Sequence, residues 1–310
     1  MTAARAPGKV ILFGEHAVVY GRPAIAAPVQ QVCAIAEITS LPDESAGVWI
    51  EAPDVGYAGW MVDASSEQPL ARMVQLILEA LQLAAPPLRI RVTSTIPIAA
   101  GMGSGAAVSV ALGRALSQHL GRPLAGDQLS GLAFEVERIH HGTPSGIDNT
   151  VITFEKPVYF VKGRPPVMLR LSRPFHLVIA DTGEPSPTRR AVEQVRRAWE
   201  ADRTRVERVF DGITKVVERA RGALETGDTA LLGPLMNDNQ ALLEALDLSS
   251  DGLRRMQAAA LAAGASGAKL SGAGLGGNLI ALVQPDAALS VITALQRAGA
   301  VRTISTEVSA

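Results

Sequence analysis

Short runs dense in apolar and β-branched residues, bounded by Gly and Pro turns, predict strands over Val32–Thr39, Val48–Ala52 and Leu88–Thr95. Between and after them, Leu70–Leu83, Ser104–Leu120 and Asp127–His141 read as helices. Asp127 is the expected N-cap of the third and Gly142 its expected stop. In the second half, Phe175–Ala180 predicts a strand. One long helix is expected after it, from about Arg189 to Leu224. Val192, Val195, Trp199, Val206, Val209, Ile213, Val216 and Ala220 there keep the period of a helical face. Helices over Leu235–Leu246 and Leu253–Ala263 follow. The chain then offers a strand (Ala268–Ser271), a glycine loop, a strand (Leu279–Val283), a helix (Ala287–Ala298) and a strand (Val301–Val308). This is the β-α-β-β-α-β order of a split βαβ, ferredoxin-like domain with extra helices in its first crossover. The predicted fold is therefore α+β in two domains, 1–170 and 171–310, with the Pro-rich stretch Gly163–Pro166 near the junction.

The bulk numbers remove several function classes. Lys plus Arg number 29 and Asp plus Glu 30, so the basic excess of a nucleic-acid or membrane-surface protein is missing. A single cysteine, Cys33, excludes an intrachain disulfide and a cysteine zinc cluster, and is expected as a small buried residue. The N-terminal residues lack the pattern of a signal peptide, and no apolar run reaches the roughly 18 residues that span a bilayer. The expectation is a cytoplasmic protein without nucleic-acid or membrane partners.

Three segments carry candidate chemistry. Pro97–Ala107 follows a strand and opens a helix, and its glycines let backbone N–H groups turn inward beside a positive helix end, an environment for a polyphosphate. Ser104 adds a hydroxyl for phosphate or a cation. The alternative is an ordinary turn before an Ala-rich helix, and no Walker A pattern occurs. In Glu137–Asn149, Glu137 lies in the last turns of a helix, where the dipole disfavours a carboxylate. That hints at a metal, against the alternative of a solvated surface residue. Asp148 follows a Pro-Ser-Gly turn of the kind that presents side chains. His140 and His141 are adjacent, so their rings diverge by about 100° on a helix and do not suit one ion. In Lys269–Gly277, Gly272, Gly274 and Gly277 match Gly-x-Gly-x-x-Gly, but a strand follows where that motif needs a helix. A hairpin fits better, and it could also serve as a lid or wall over a phosphate.

The order and wording of these segments decide between the alternatives. Ala6–Gly21 (APGKVILFGEHAVVYG) resembles the opening motif of mevalonate kinases. Pro97–Ala107 resembles the ATP loop of the GHMP kinases, His141–Asn149 the mevalonate kinase catalytic segment, and Lys269–Gly277 the third GHMP motif. Asp181–Gly183 followed by Thr188–Arg190 resembles the family's entry into a helix. The resemblance runs from residue 6 to about residue 283, and implies a two-domain fold that agrees with the tail read above. Galactokinases usually have Arg in place of Lys9, diphosphomevalonate decarboxylases open differently, and phosphomevalonate kinases usually lack Gly-Glu-His followed by Ala-Val.

The resemblance implies ATP- and Mg²⁺-dependent phosphorylation of the C5 hydroxyl of mevalonate. Asp148 would accept or orient the hydroxyl proton, and Lys9 would neutralise charge between hydroxyl and γ-phosphate. The ATP site would comprise Pro97, Ala100, Gly101, Met102, Gly103, Ser104, Gly105, Ala106 and Ala107. Ser104 and Glu137 would hold Mg²⁺. Lys9, Glu15, His16, Asp148, Asp181, Thr182, Ser271, Gly272 and Ala273 would line the acceptor side. Such chemistry needs positioning and charge neutralisation more than covalent help. Two departures stand out: Gly105 replaces the family's usual second serine, and Thr153–Pro157 replaces a Gly-Gly pair. The alternatives are another small-molecule kinase of the superfamily, acting on phosphomevalonate or on the 3-hydroxyl, and a non-catalytic binder. Retention of Lys9 and Asp148 disfavours the last. A homodimer remains open.

Overall fold

The computed structural model describes the chain except residues 43–46, 66, 98–99, 142–143, 187 and 310, and gives His140 and His141 by backbone alone. The expected stop at Gly142 and the His140–His141 pair therefore lie outside the described side chains. The chain forms two compact units that interleave in sequence: Met1–Gly8, Val32–Pro97 and Gly103–Glu155 form the first, and Lys9–Gln31, Ile98–Met102 and Lys156–Ala310 the second.

Strands β1 (Thr2–Phe13) and β2 (Ala24–Ser40) pair with each other and pass from one unit to the other. In the first unit, β3 (Val48–Ala52) pairs antiparallel with β4 (Tyr57–Trp60) and parallel with β5 (Leu88–Ser94). β5 in turn pairs antiparallel with Ala34–Ser40 of β2. Helices α1 (Pro69–Leu81), α2 (Ser104–His119), α3 (Gly126–His141) and α4 (Ile147–Phe154) pack on one another. α1 starts where Gln68 accepts from Leu70 N (2.6 Å) and Ala71 N (3.1 Å), with Pro69 in the first turn, where its missing N–H costs nothing. α3 starts one residue before Asp127, so that carboxylate sits in the first turn rather than at the cap. Cys33 is half-buried, not buried, because β2 alternates faces and Cys33 falls between inward-facing Val32 and Ala34.

In the second unit, β6 (Val158–Phe160) pairs with Ala24–Ala26 of β2 and with β7 (Val167–Met168). The main sheet contains β8 (Phe175–Asp181), β9 (Gly267–Ser271), β10 (Asn278–Val283) and β11 (Arg302–Val308) in the order β11-β8-β10-β9, all antiparallel. That is the expected ferredoxin-like order. Between β8 and β9 come α5 (Thr188–Ala201), α6 (Arg203–Thr226), α7 (Leu232–Glu244) and α8 (Asp251–Ala262), and α9 (Ala288–Arg297) precedes β11.

The single helix expected over 189–224 is two helices. Asp202 leaves helical geometry (φ −145°) and caps α6 by accepting from Arg205 N at 3.0 Å. An Asp at a cap satisfies an otherwise orphaned N–H, while the apolar period continues unbroken on either side and hides the break. The edge strand β9 is also finished by side chains. Asn237 and Gln240 of α7 accept from Ala268 N (3.0 Å) and Leu270 N (2.9 Å). These bonds satisfy edge N–H groups that burial would otherwise leave without a partner.

Candidate active site

In the first unit, the first turn of α2 lies against α3. Gly103 turns the chain with φ +72°, and the helix begins at Ser104, where the first amides are orphaned and the end is positive. Ala106 and Ala107 are buried and anchor this turn. Glu137 is only 5 % exposed, which removes the solvated-surface alternative for it. A Cβ built on Gly105 would stand 2.8 Å from Glu137 Oε1, so the missing side chain at 105 leaves room for the carboxylate beside the helix start. Asp148 is half-buried in the first turn of α4, after Gly146 at φ +94°. Helix α4 is an element the sequence pattern did not show.

In the second unit, Lys9, Glu15 and His16 come from β1 and the turn after it. Lys9 is 3 % exposed, and its backbone N donates to Met102 O at 3.0 Å. Ala100 O accepts from Asn278 Nδ2. These bonds tie Ala100–Met102 to β1 and to the start of β10. Gly101 has φ +80°, a turn that favours glycine. Ile98 and Ala99, within the same predicted loop, lie outside the described residues.

Glu15 is fully buried and pairs with the equally buried Lys269. Burial pushes the Glu15 carboxyl up and the Lys269 ammonium down, and the contact between them opposes both shifts. His16 is lowered to about 4 by burial, so it is neutral near pH 7. Its Nε2 lies 2.8 Å from Ala273 O. A carbonyl can only accept, which places the proton on Nε2. Ser271 accepts from Ile11 N (2.9 Å) and donates to Ile11 O (3.0 Å).

The glycine loop joins β9 to β10 as a hairpin, as expected. Thr182 Oγ1 donates to Gly277 O (2.9 Å), Gly277 N to Glu184 O (2.8 Å), Ser186 Oγ to Gly274 O (3.1 Å) and Leu275 N to Leu248 O (2.7 Å). Gly274 has φ +77°, and a Cβ there would meet Leu248 O at 2.4 Å. Of the two roles left open for this loop, these contacts favour a packed wall. Asp181 Oδ1 accepts from Gly183 N at 2.9 Å and shapes the neighbouring turn.

Lys9, Glu15, His16, Asp181, Thr182, Ser271, Gly272 and Ala273 thus belong to the second unit, and Gly103–Ala107, Glu137 and Asp148 to the first. Sequence reasoning missed the roles of Lys269, Asn239 and Gln240. The available signal was a lysine inside the apolar run of β9 and an amide-rich stretch on an amphipathic helix, since buried charge requires a partner.

Comparison with known proteins shows the family. Residues 69–156 match the model of the GHMP kinases N terminal domain, and residues 220–301 that of the GHMP kinases C terminal domain. The chain is 35% identical to a mevalonate kinase of Pyrococcus horikoshii, over 97% of this chain and 94% of that one. It is likewise 35% identical to a mevalonate kinase of Methanothermobacter thermautotrophicus, over 96% and 94% of the two chains. The crystal structure of L. major mevalonate kinase in complex with R-mevalonate superposes with a TM-score of 0.83 at 29% identity, covering 100% of this chain and 96% of that one. The chain belongs to the GHMP kinases, in the mevalonate kinase family.

Proposed function

We propose that the protein transfers the γ-phosphate of ATP to the C5 hydroxyl of mevalonate, giving 5-phosphomevalonate for isoprenoid synthesis. The observation that carries the proposal is the pair of acidic groups in the first unit: Glu137 buried beside the start of α2, and Asp148 at the start of α4. Full-length similarity to mevalonate kinases supports the choice of acceptor.

Asp148 takes or orients the hydroxyl proton, and Lys9 offsets charge as the phosphoryl group moves. Gly101–Ala107, with Pro97 and Ala100, cradle the phosphates through backbone N–H groups and the start of α2. Ser104 and Glu137 supply oxygen donors of the kind Mg²⁺ prefers, a cation that keeps several waters and needs few protein ligands. When bound, Mg²⁺ would neutralise charge on the phosphate oxygens. Glu15, His16, Asp181, Thr182, Ser271, Gly272 and Ala273 shape the acceptor side. In this proposal 1–170 forms the ATP-binding domain and 171–310 the C-terminal domain. The positions of the two family matches, either side of residue 170, support that division. The proposal extends to a cytoplasmic enzyme, with a homodimer as the assembly to test by light scattering. Among the described residues no helix is long and apolar enough to cross a membrane.

An ADP-release assay with mevalonate, phosphomevalonate, galactose and homoserine as acceptors tests the assignment. Turnover is expected with mevalonate; turnover confined to another acceptor would replace it.

A further inference from the structure

Every residue of β9 is buried, yet its central position is a lysine. An ammonium in that setting is strongly disfavoured unless it is paired and hydrogen-bonded. Lys269 Nζ contacts Glu15 Oε1 and donates to Leu270 O at 2.6 Å. The other carboxylate oxygen, Glu15 Oε2, accepts from Asn239 Nδ2 at 3.3 Å. Asn239 Oδ1 accepts from Gly14 N at 3.3 Å. His16, held at φ +60°, bonds to Ala273 O. The three residues that follow the strand carrying Lys9 are therefore fastened by α7, by β9 and by the loop after β9. None of Lys269, Asn239 or Gln240 has a part in the transfer chemistry proposed above.

We propose that Lys269 is a positioning residue of the phosphoryl-transfer site: paired with the Glu15 carboxylate, it holds the Gly14–His16 turn at the end of the strand that carries Lys9. The inference rests on the kinase assignment above. The charged groups that act on Glu15 are Lys269 in contact and Lys9 at longer range. Beside it His16 is neutral, and α7 presents the uncharged amide of Asn239. Burial pushes the Glu15 carboxyl up, and the two lysines pull it back. Loss of Lys269 leaves burial less opposed, so Glu15 takes up its proton at higher pH and the turn loses its anchor.

The test is kcat against pH for the full chain with ATP, Mg²⁺ and mevalonate, in wild type, Lys269→Met, Glu15→Gln and the double variant. Lys269→Met is expected to lower kcat by roughly tenfold or more, with the KM for ATP within about twofold. Its acid limb moves to higher pH. Because Lys269 acts through Glu15, the double variant is expected to be no slower than Glu15→Gln. An unmoved acid limb with wild-type kcat in Lys269→Met, or losses that multiply in the double variant, would overturn the proposal. If Lys269→Met does not fold, the comparison of Glu15→Gln with the double variant decides, since that variant has neither buried charge. A wild type inactive on mevalonate refutes the kinase assignment itself, and shows before any variant is compared.

Discussion

Gly105 and Glu137 fit each other: a Cβ at position 105 would stand 2.8 Å from the Glu137 carboxylate. Where related ATP loops usually carry a second serine, this chain has a glycine, and the carboxylate lies where a side chain would crowd it. Restoring the serine is therefore expected to push Glu137 away. Gly105→Ser should raise the Mg²⁺ concentration needed for half-maximal activity several-fold, and Glu137→Gln should do the same by removing the charged donor. Magnesium titrations of ATP turnover and calorimetric binding of Mg²⁺–ATP report both. Tighter magnesium binding in Gly105→Ser would show that the glycine serves no such purpose.

Asp148 stands in the first turn of α4. Asp148→Asn keeps the shape and removes the proton acceptor. We expect kcat to fall by about a hundredfold or more while ATP affinity stays within a few-fold. Rapid-quench turnover and isothermal titration separate the two quantities; near-normal turnover would remove Asp148 from the chemistry.

The C-terminal sheet was legible because its strands are short runs with Gly or Pro nearby in the chain, and its last helix keeps a helical period. The break at Asp202 was not, since Trp199 and Val206 continue one apolar face through it. Helix α4 was hidden for a different reason. Its eight residues are short for a periodic signal, and Ser145–Gly146 reads as a turn. The glycine and acidic motifs were visible as residues. The burial of Glu137 and the pairing of Glu15 with Lys269 were not, because partners 254 residues apart leave no local trace.

His16 makes stability depend on pH in a defined direction. Its folded value of about 4 lies below the ordinary 6.5. The unfolded chain therefore binds a proton that the folded chain refuses. The histidine's contribution is complete above the ordinary value and shrinks as pH falls from 6.5 towards about 4. The loss is at most about 1.4 kcal/mol per pH unit. Glu15, pushed up by burial, works in the opposite sense. His16→Asn isolates the histidine, because asparagine tolerates the positive φ and does not titrate. Urea unfolding at about pH 7 and about pH 5 should show wild type losing more stability than the variant on acidification. Equal losses would contradict the assignment.

Hydrogen exchange distinguishes a wall from a lid at Gly272–Gly277. The amides of Leu275 and Gly277 are hydrogen-bonded to Leu248 O and Glu184 O. They should exchange nearly as slowly as those of β10 in the ligand-free protein. Gly274→Ala, strained by its φ and its contact with Leu248, should cost about 2 kcal/mol of stability or more. Fast exchange at both amides would favour the lid.

The proposed reaction makes one bond, between the γ-phosphorus of ATP and the primary hydroxyl oxygen of mevalonate. Phosphorus NMR of the reaction product, with coupling to neighbouring protons resolved, identifies that bond directly. The expected result is mevalonate-dependent loss of ATP and a phosphomonoester split by the two protons of C5. A phosphate on the tertiary oxygen of C3, which carries no proton, or no mevalonate-dependent product at all, would contradict it.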